Sequence, residues 1–152
     1  MTGAVPDDLR PGEGPDDLDV LDDQECLALL AGHHLGRLGF VSADGWPVIL
    51  PVNYGFEEPS IVVRTGAGTK LDDIPLTMVA FEVDAADPGG AWGWSVLVQG
   101  PAFDITDSVD EYSDSLRHLP VDPRAPGDRP HWLKVSARRL SGRRFGEVPP
   151  GT

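Results

Sequence analysis

The chain has 152 residues, 40% of them hydrophobic, which is enough for one domain with a buried core and excludes a wholly disordered protein. Its formal net charge of −13 and pI near 4.4 argue against nucleic acid or an anionic membrane surface as the main partner, because both require a basic face. No apolar run approaches the roughly 18 residues of a membrane span, and the single cysteine, Cys26, excludes an internal disulfide framework and suits a reducing cytoplasm.

Charge is unevenly distributed. Residues 1–23 carry eight acids against Arg10, and show no basic-then-apolar leader pattern. Residues 134–144 carry Lys134, Arg138, Arg139, Arg143 and Arg144 with no acid. Residues 1–20 also hold Pro6, Pro11, Gly12, Gly14 and Pro15, so they read as a disordered acidic tail. An acidic arm docked on the basic C-terminal segment is the alternative. A barrel domain is expected over 21–146 and a short tail over 147–152.

A helix is expected from Asp22, which can cap it, with Glu25 three residues on completing a capping box. Cys26, Leu27, Leu29 and Leu30 give it an apolar face, and Gly32 is its stop. Strand texture follows. Leu35–Val41 is a first strand, and Asp44-Gly45 marks a hairpin. Trp46–Tyr54 is a second, with Val48, Leu50 and Val52 on one face; Pro47 and Pro51 demand a free edge or a bulge there. Gly55–Pro59 is a turn and Ser60–Thr65 a β-branched strand. After a loop over 66–73, strands are expected over Thr77–Asp84 and Gly93–Ile105, with a loop at Asp87–Gly90 between them. Asp107–Leu119 reads as a helix starting after Thr106, Val121–Pro130 as a proline-rich loop, and His131–Leu140 as a sixth strand. Short links between strands require antiparallel pairing. The fold class is therefore mainly β, a six-stranded antiparallel barrel or sandwich with a few helices.

Several familiar patterns fail. Gly66-Ala67-Gly68-Thr69-Lys70 is neither a Walker loop nor a dinucleotide fingerprint. Gly93-Trp94-Ser95-Val96-Leu97 lacks the last glycine of a nucleophile elbow. His33, His34, His118 and His131 have no zinc-type spacing with Cys26, and no carboxylate pair stands out as an acid/base dyad.

One segment carries chemistry. Arg64-Thr65-Gly66-Ala67-Gly68-Thr69-Lys70 sets two cations, two hydroxyls and two glycines within seven residues, in an otherwise acidic chain with only two lysines. A phosphate dianion suits this set: Arg64 can bind it bidentately, Lys70 supplies a point charge, Thr65 and Thr69 donate hydroxyls, and the glycines let backbone amides approach. Each charged hydrogen bond is worth roughly 1.5–3 kcal/mol. On residues alone, an ordinary strand and turn with surface charges explains the segment equally well. An antiparallel neighbour would bring Asn53 and Tyr54 near Arg64. Trp92 and Trp94 could cover a flat ring, although tryptophans more often anchor cores and interfaces.

Taken in order, these segments resemble the pyridoxamine 5′-phosphate oxidase-related, FMN-binding split-barrel family. The resemblance rests on Gly36-Arg37-Leu38, Gly45-x-Pro47 with Pro51-Val52-Asn53-Tyr54, Arg64-Thr65 with Gly68-Thr69-Lys70-Leu71, Val79–Asp84, Gly93-Trp94-Ser95-Val96 and Ser141–Phe145. It covers about residues 20–146. It implies a split β-barrel homodimer with FMN at the interface. It further implies that Arg64, Thr65, Thr69 and Lys70 hold the phosphate, with Leu71 closing the same motif among the cofactor-binding residues. Val52, Asn53 and Tyr54 would line the isoalloxazine ring, and Trp94 and Ser95 would approach the flavin from the same or the partner chain. The C-terminal Phe145–Thr152 departs from the family's substrate-binding end, because the Arg-x-His signature of true pyridoxamine phosphate oxidases is missing. The expectation is a flavin-dependent oxidoreductase acting on a different small molecule, with no essential protein acid or base and no bound metal. A deazaflavin enzyme, a non-catalytic flavin or haem module using His33, His34 or His131, and a ligand-free structural dimer are the alternatives.

Overall fold

A computed structural model of the chain describes residues 18–65, 77–122 and 131–152. The elements run β1 (Asp19–Leu21), α1 (Asp23–Ala31), β2 (Leu35–Val41), β3 (Pro47–Glu57), β4 (Ser60–Thr65) and β5 (Met78–Ala86). They continue with β6 (Gly93–Asp104), α2 (Glu111–Arg117), β7 (His131–Ser136) and β8 (Arg139–Phe145). Every strand pairing is antiparallel.

Six strands close a barrel in the order β6-β5-β2-β3-β4-β7, returning to β6. The closure is split because β6 changes partner along its length. Gly93–Gln99 pairs with β8, whereas Ala102–Asp104 pairs with β7. Gly100 lies at the changeover, and a Cβ there would fall on the Ser136 carbonyl oxygen. The β7–β8 corner closes against this point through Arg138 N–H donating to the Gln99 carbonyl at 3.0 Å. β1 extends the sheet beyond β8, where Arg144 lies between Asp19 (3.5 Å) and Glu25 (3.3 Å).

Local signals set many of these elements. Asp22 caps α1 and exchanges hydrogen bonds with Glu25 at 2.8 and 2.9 Å, the reciprocal box that satisfies two otherwise free amides. Gly45, at φ +85°, turns the β2–β3 hairpin. β3 pairs with β2 over 47–53 and with β4 over 54–57, so Pro47 and Pro51 lie where one edge of the strand has no sheet partner. Alternation along β5 and β6 sends Val79, Phe81, Val83, Val96 and Val98 into the barrel. Full burial of each such side chain contributes roughly 1.5–3 kcal/mol. A second small cluster, Val62, Ile105 and Leu116 with Phe103, Leu119 and Trp132 against it, fastens α2 to the outside of β4 and β7.

Four expectations are corrected. The single strand expected over His131–Leu140 is two, β7 and β8, broken at Ala137–Arg138 where each half takes a different stretch of β6. The disordered tail expected to residue 20 overlaps β1, since β8 offers a pairing edge and Leu21 is buried beside Cys26 and Gly142. β3 runs through Gly55 to Glu57, because β4 pairs with its last four residues. Helix α2 begins at Glu111 with Asp110 as cap; the Thr106 hydroxyl is taken up by donating to Asp104 (2.6 Å) and accepting the Trp132 N–H (2.9 Å). Among the described residues, no helix is long and apolar enough to cross a membrane.

The outward face of the β2–β3–β5 sheet is apolar at one end. Val41, Trp46, Ile49 and Met78 are between 62 and 72% exposed there, beside a groove of about 750 Å³ bordered by Arg138 and Arg139. Arg37 bridges Glu82 (3.0 Å) and Asp84 (2.8 Å) further along the same face. Burial, with Asp84 next to it, raises the Glu82 carboxyl above its usual range despite Arg37.

Candidate functional site

Arg64 and Thr65 end β4, which is hydrogen-bonded between β3 and β7. The β3–β4 register sets Tyr54 opposite Val63, which brings Asn53 beside Arg64. Both polar side chains reach the same stretch of backbone. Arg64 Nη1 donates to the Val121 carbonyl at 3.2 Å, and Asn53 Nδ2 donates to the Asp122 carbonyl at 3.0 Å. The Arg64 guanidinium lies 5.0 Å from the centroid of the Trp132 ring, its opposite number across the β4–β7 pair.

Two atoms here have unspent hydrogen-bonding capacity. Arg64 Nε is buried without a partner among the described residues. Among the described residues the Thr65 hydroxyl makes one contact, to the His131 carbonyl, at 3.5 Å, the outer limit of such a bond, and Thr65 leaves β4 on the face opposite to Arg64. A buried N–H on a cation without a partner is costly, and an oxyanion satisfies it. The Arg64 Nε–H therefore fits a phosphate oxygen. Thr69, Lys70 and Leu71, with the glycines between Thr65 and Lys70, lie outside the described residues.

The remaining sequence candidates are placed differently. Val52 and Tyr54 share the inward face of β3. The Tyr54 hydroxyl donates to the Leu30 carbonyl at 2.6 Å, its ring meets Phe81 edge-on at 4.9 Å, and burial pushes its phenol up from the ordinary value. Of the three β3 candidates, Asn53 alone presents a side chain to the Arg64 neighbourhood. Trp94 is buried on the inner side of β6, edge-on to His33 at 4.7 Å, with Nε1 lacking a partner among the described residues. Ser95 faces outward on β6, in register with Asp84 on one side and Arg143 on the other. It lines a pocket of about 310 Å³ with Arg143 and Phe145. Trp94 and Ser95 thus lie on opposite faces, in the β5–β6–β8 part of the sheet, whereas Arg64 and Asn53 lie in the β3–β4–β7 part. His33 is engaged through Nδ1 with the Leu29 carbonyl at 2.7 Å.

Sequence reasoning missed Trp132 and the Val121 and Asp122 carbonyls. Trp132 lies 68 positions from Arg64 in the chain, and only the β4–β7 register reveals the pair. A cation and an aromatic residue on strands known to be neighbours would have been the signal.

Fold and site together define a class: a split antiparallel β-barrel with an anion-competent cation at the end of one barrel strand. The chain belongs to the pyridoxamine 5′-phosphate oxidase family, whose sequence model matches residues 22–144. It is 34% identical over 93 residues to the uncharacterized protein Rv0080 of Mycobacterium tuberculosis (strain ATCC 25618 / H37Rv). That match covers 57% of this chain and 60% of the relative's length. Among solved structures it resembles the FAD binding protein from Mycobacterium smegmatis at 30% identity and a TM-score of 0.68, covering 84% of this chain and 98% of that one. It also resembles DIP1874 from Corynebacterium diphtheriae, a conserved protein of unknown function, at 29% identity and a TM-score of 0.69, covering 86% and 99%.

Proposed function

We propose that this protein binds a phosphorylated flavin, FMN, and acts as a flavin-dependent oxidoreductase on a small molecule other than pyridoxamine phosphate. The observation that carries the reading is the buried Nε of Arg64, which has no hydrogen-bond partner among the described residues. Family membership supports it, as does the likeness to a protein described as FAD-binding. Arg64 and Thr65 hold the phosphate with Thr69 and Lys70, and Leu71 of the same motif is a further cofactor-binding residue. Asn53 donates its amide to the Asp122 carbonyl, next to the Val121 carbonyl that Arg64 takes. A bound flavin supplies hydride or one-electron transfer chemistry. The chain's own residues bind and orient it, and no side chain is assigned as a proton donor or acceptor.

The protein acts as a homodimer. The exposed apolar residues Val41, Trp46, Ile49 and Met78 support this, because monomers seldom leave such a patch in water and a second copy would cover it. Ser95, exposed on β6 and remote from Arg64 within one protomer, is then a candidate to reach the flavin of the partner, whereas Trp94 is buried against His33. The lone buried thiol of Cys26 suits a cytoplasmic location.

A visible spectrum of the purified protein, followed by titration of flavin-free protein with FMN, FAD and a deazaflavin, tests the reading. Arg64→Ala is expected to weaken FMN binding about 10- to 150-fold, and Lys70→Ala to weaken it as well. Folded variants with wild-type affinity refute the site. Tighter binding of FAD or a deazaflavin keeps the site and changes the cofactor.

A further inference from the structure

We propose that Trp132 is a positioning residue for the anion site, holding the Arg64 guanidinium in the one orientation that keeps Nε free for a phosphate oxygen. This rests on the phosphate reading above and adds to it a determinant of selectivity for phosphorylated over unphosphorylated flavin.

Arg64 and Trp132 are directly opposed across the β4–β7 pair, so their side chains leave the sheet on the same face. The guanidinium carbon stands 5.0 Å from the indole centroid, within range of an attraction for which tryptophan is the best of the aromatic side chains. A free arginine samples many rotamers, and every one frozen before the anion arrives is one the anion need not freeze. Two contacts do this freezing. The indole takes one face of the guanidinium, and the Val121 carbonyl takes Nη1 at 3.2 Å. Nε remains, buried and unpartnered among the described residues.

The indole is itself anchored. Its backbone N–H donates to Thr106 Oγ1 at 2.9 Å, and its carbonyl accepts from Ile105 N–H at 2.9 Å. Its ring packs on Val62, Ile105 and Leu116. The same corner receives Arg117, whose Nη1 donates to the Ile105 carbonyl at 2.6 Å. The outer cluster around α2 therefore does more than cover the barrel: it ends in the ring that aims the arginine. A tryptophan that served only as core would stabilise the fold without distinguishing FMN from riboflavin.

The experiment measures dissociation constants for FMN and for riboflavin by quenching of flavin fluorescence. The full-length variants are wild type, Arg64→Ala, Trp132→Leu, Trp132→Phe and Arg64→Ala/Trp132→Leu. Trp132→Leu is expected to reduce the preference for FMN over riboflavin about 3- to 30-fold and to leave riboflavin affinity unchanged. Trp132→Phe, which keeps a smaller ring, should lose an intermediate amount; it decides the matter alone if the leucine variant does not fold. In the Arg64→Ala background Trp132→Leu should add nothing. Equal weakening of both ligands, an unchanged preference in a folded variant, or additivity with Arg64→Ala overturns the proposal. If wild type shows no preference for FMN, the phosphate reading falls and this inference with it. If Arg64→Ala loses the preference while Trp132→Leu retains it, the positioning role alone is wrong.

Discussion

Tyr54→Phe separates a packing role from a ligand-binding role for a residue that the sequence places beside a flavin ring. The substitution removes one oxygen. In the structure that oxygen donates to the Leu30 carbonyl at 2.6 Å within the core. Leu30 belongs to the last turn of α1, whose final carbonyls have no partner inside the helix. Ala28 finds the Gly32 N–H, Leu29 finds the His33 ring, and Leu30 finds Tyr54. Phenylalanine preserves the edge-on contact with Phe81 but leaves the Leu30 carbonyl buried and unsatisfied. Such a loss costs about 1–3 kcal/mol. For a domain of this size each kcal/mol lowers the melting temperature by about 2–4 °C. The assays are urea unfolding with thermal melts, alongside flavin titration of the same samples. The expected result is reduced stability with flavin affinity within about twofold of wild type. Unchanged stability with lost flavin affinity would refute the assignment of the Tyr54 hydroxyl to the core.

Gly100→Ala should be severe: a Cβ at the β8-to-β7 changeover falls on the Ser136 carbonyl, and a loss of about 3 kcal/mol or more, roughly 6–12 °C in melting temperature, is expected. A melting temperature equal to wild type would disprove that close approach. Ile49→Asp places a charge in the exposed apolar patch of the proposed dimer, so sedimentation should report a lower mass for the variant than for wild type; an unaltered mass would remove that face from the interface. Cys26 should resist alkylation near pH 8 until the protein unfolds, because burial, with Asp23, Glu25 and Asp22 close by, pushes its thiol up to about 11. Rapid labelling of native protein would contradict its burial. Burial alone would raise the Asp104 carboxyl, but hydrogen bonds from the Thr106 hydroxyl and amide, helped by His131, hold it below its ordinary 3.8. A depressed acid stabilises the fold above its unfolded pKa and loses that contribution as pH falls through the folded one. Asp104→Asn should therefore flatten the loss of stability below about pH 4, and an unaltered acid limb in unfolding experiments would count against it.

The sequence by itself was enough for features decided within a few residues. Asp22 and Glu25 mark the start of α1, Asp44-Gly45 marks the β2–β3 turn, and alternation puts Val48, Leu50 and Val52 on the inner face of β3. It also put Arg64 and Thr65 at a strand end with a composition that suits phosphate. Tertiary structure alone decided what depends on partners distant in the chain. β1 exists because β8 offers an edge more than 120 residues later, and the last expected strand breaks because β6 has two different neighbours to serve. The sequence grouped Val52, Asn53 and Tyr54 together, and only the closed barrel showed that Tyr54 faces inward to a helix carbonyl while Asn53 turns toward the backbone that Arg64 also meets. Trp132 became part of the site through pairing register and nothing nearer in sequence. Local hydrogen bonds and side-chain periodicity are written into consecutive residues, whereas register across a barrel is settled by which of many long-range closures buries the most apolar surface and satisfies the most backbone at once.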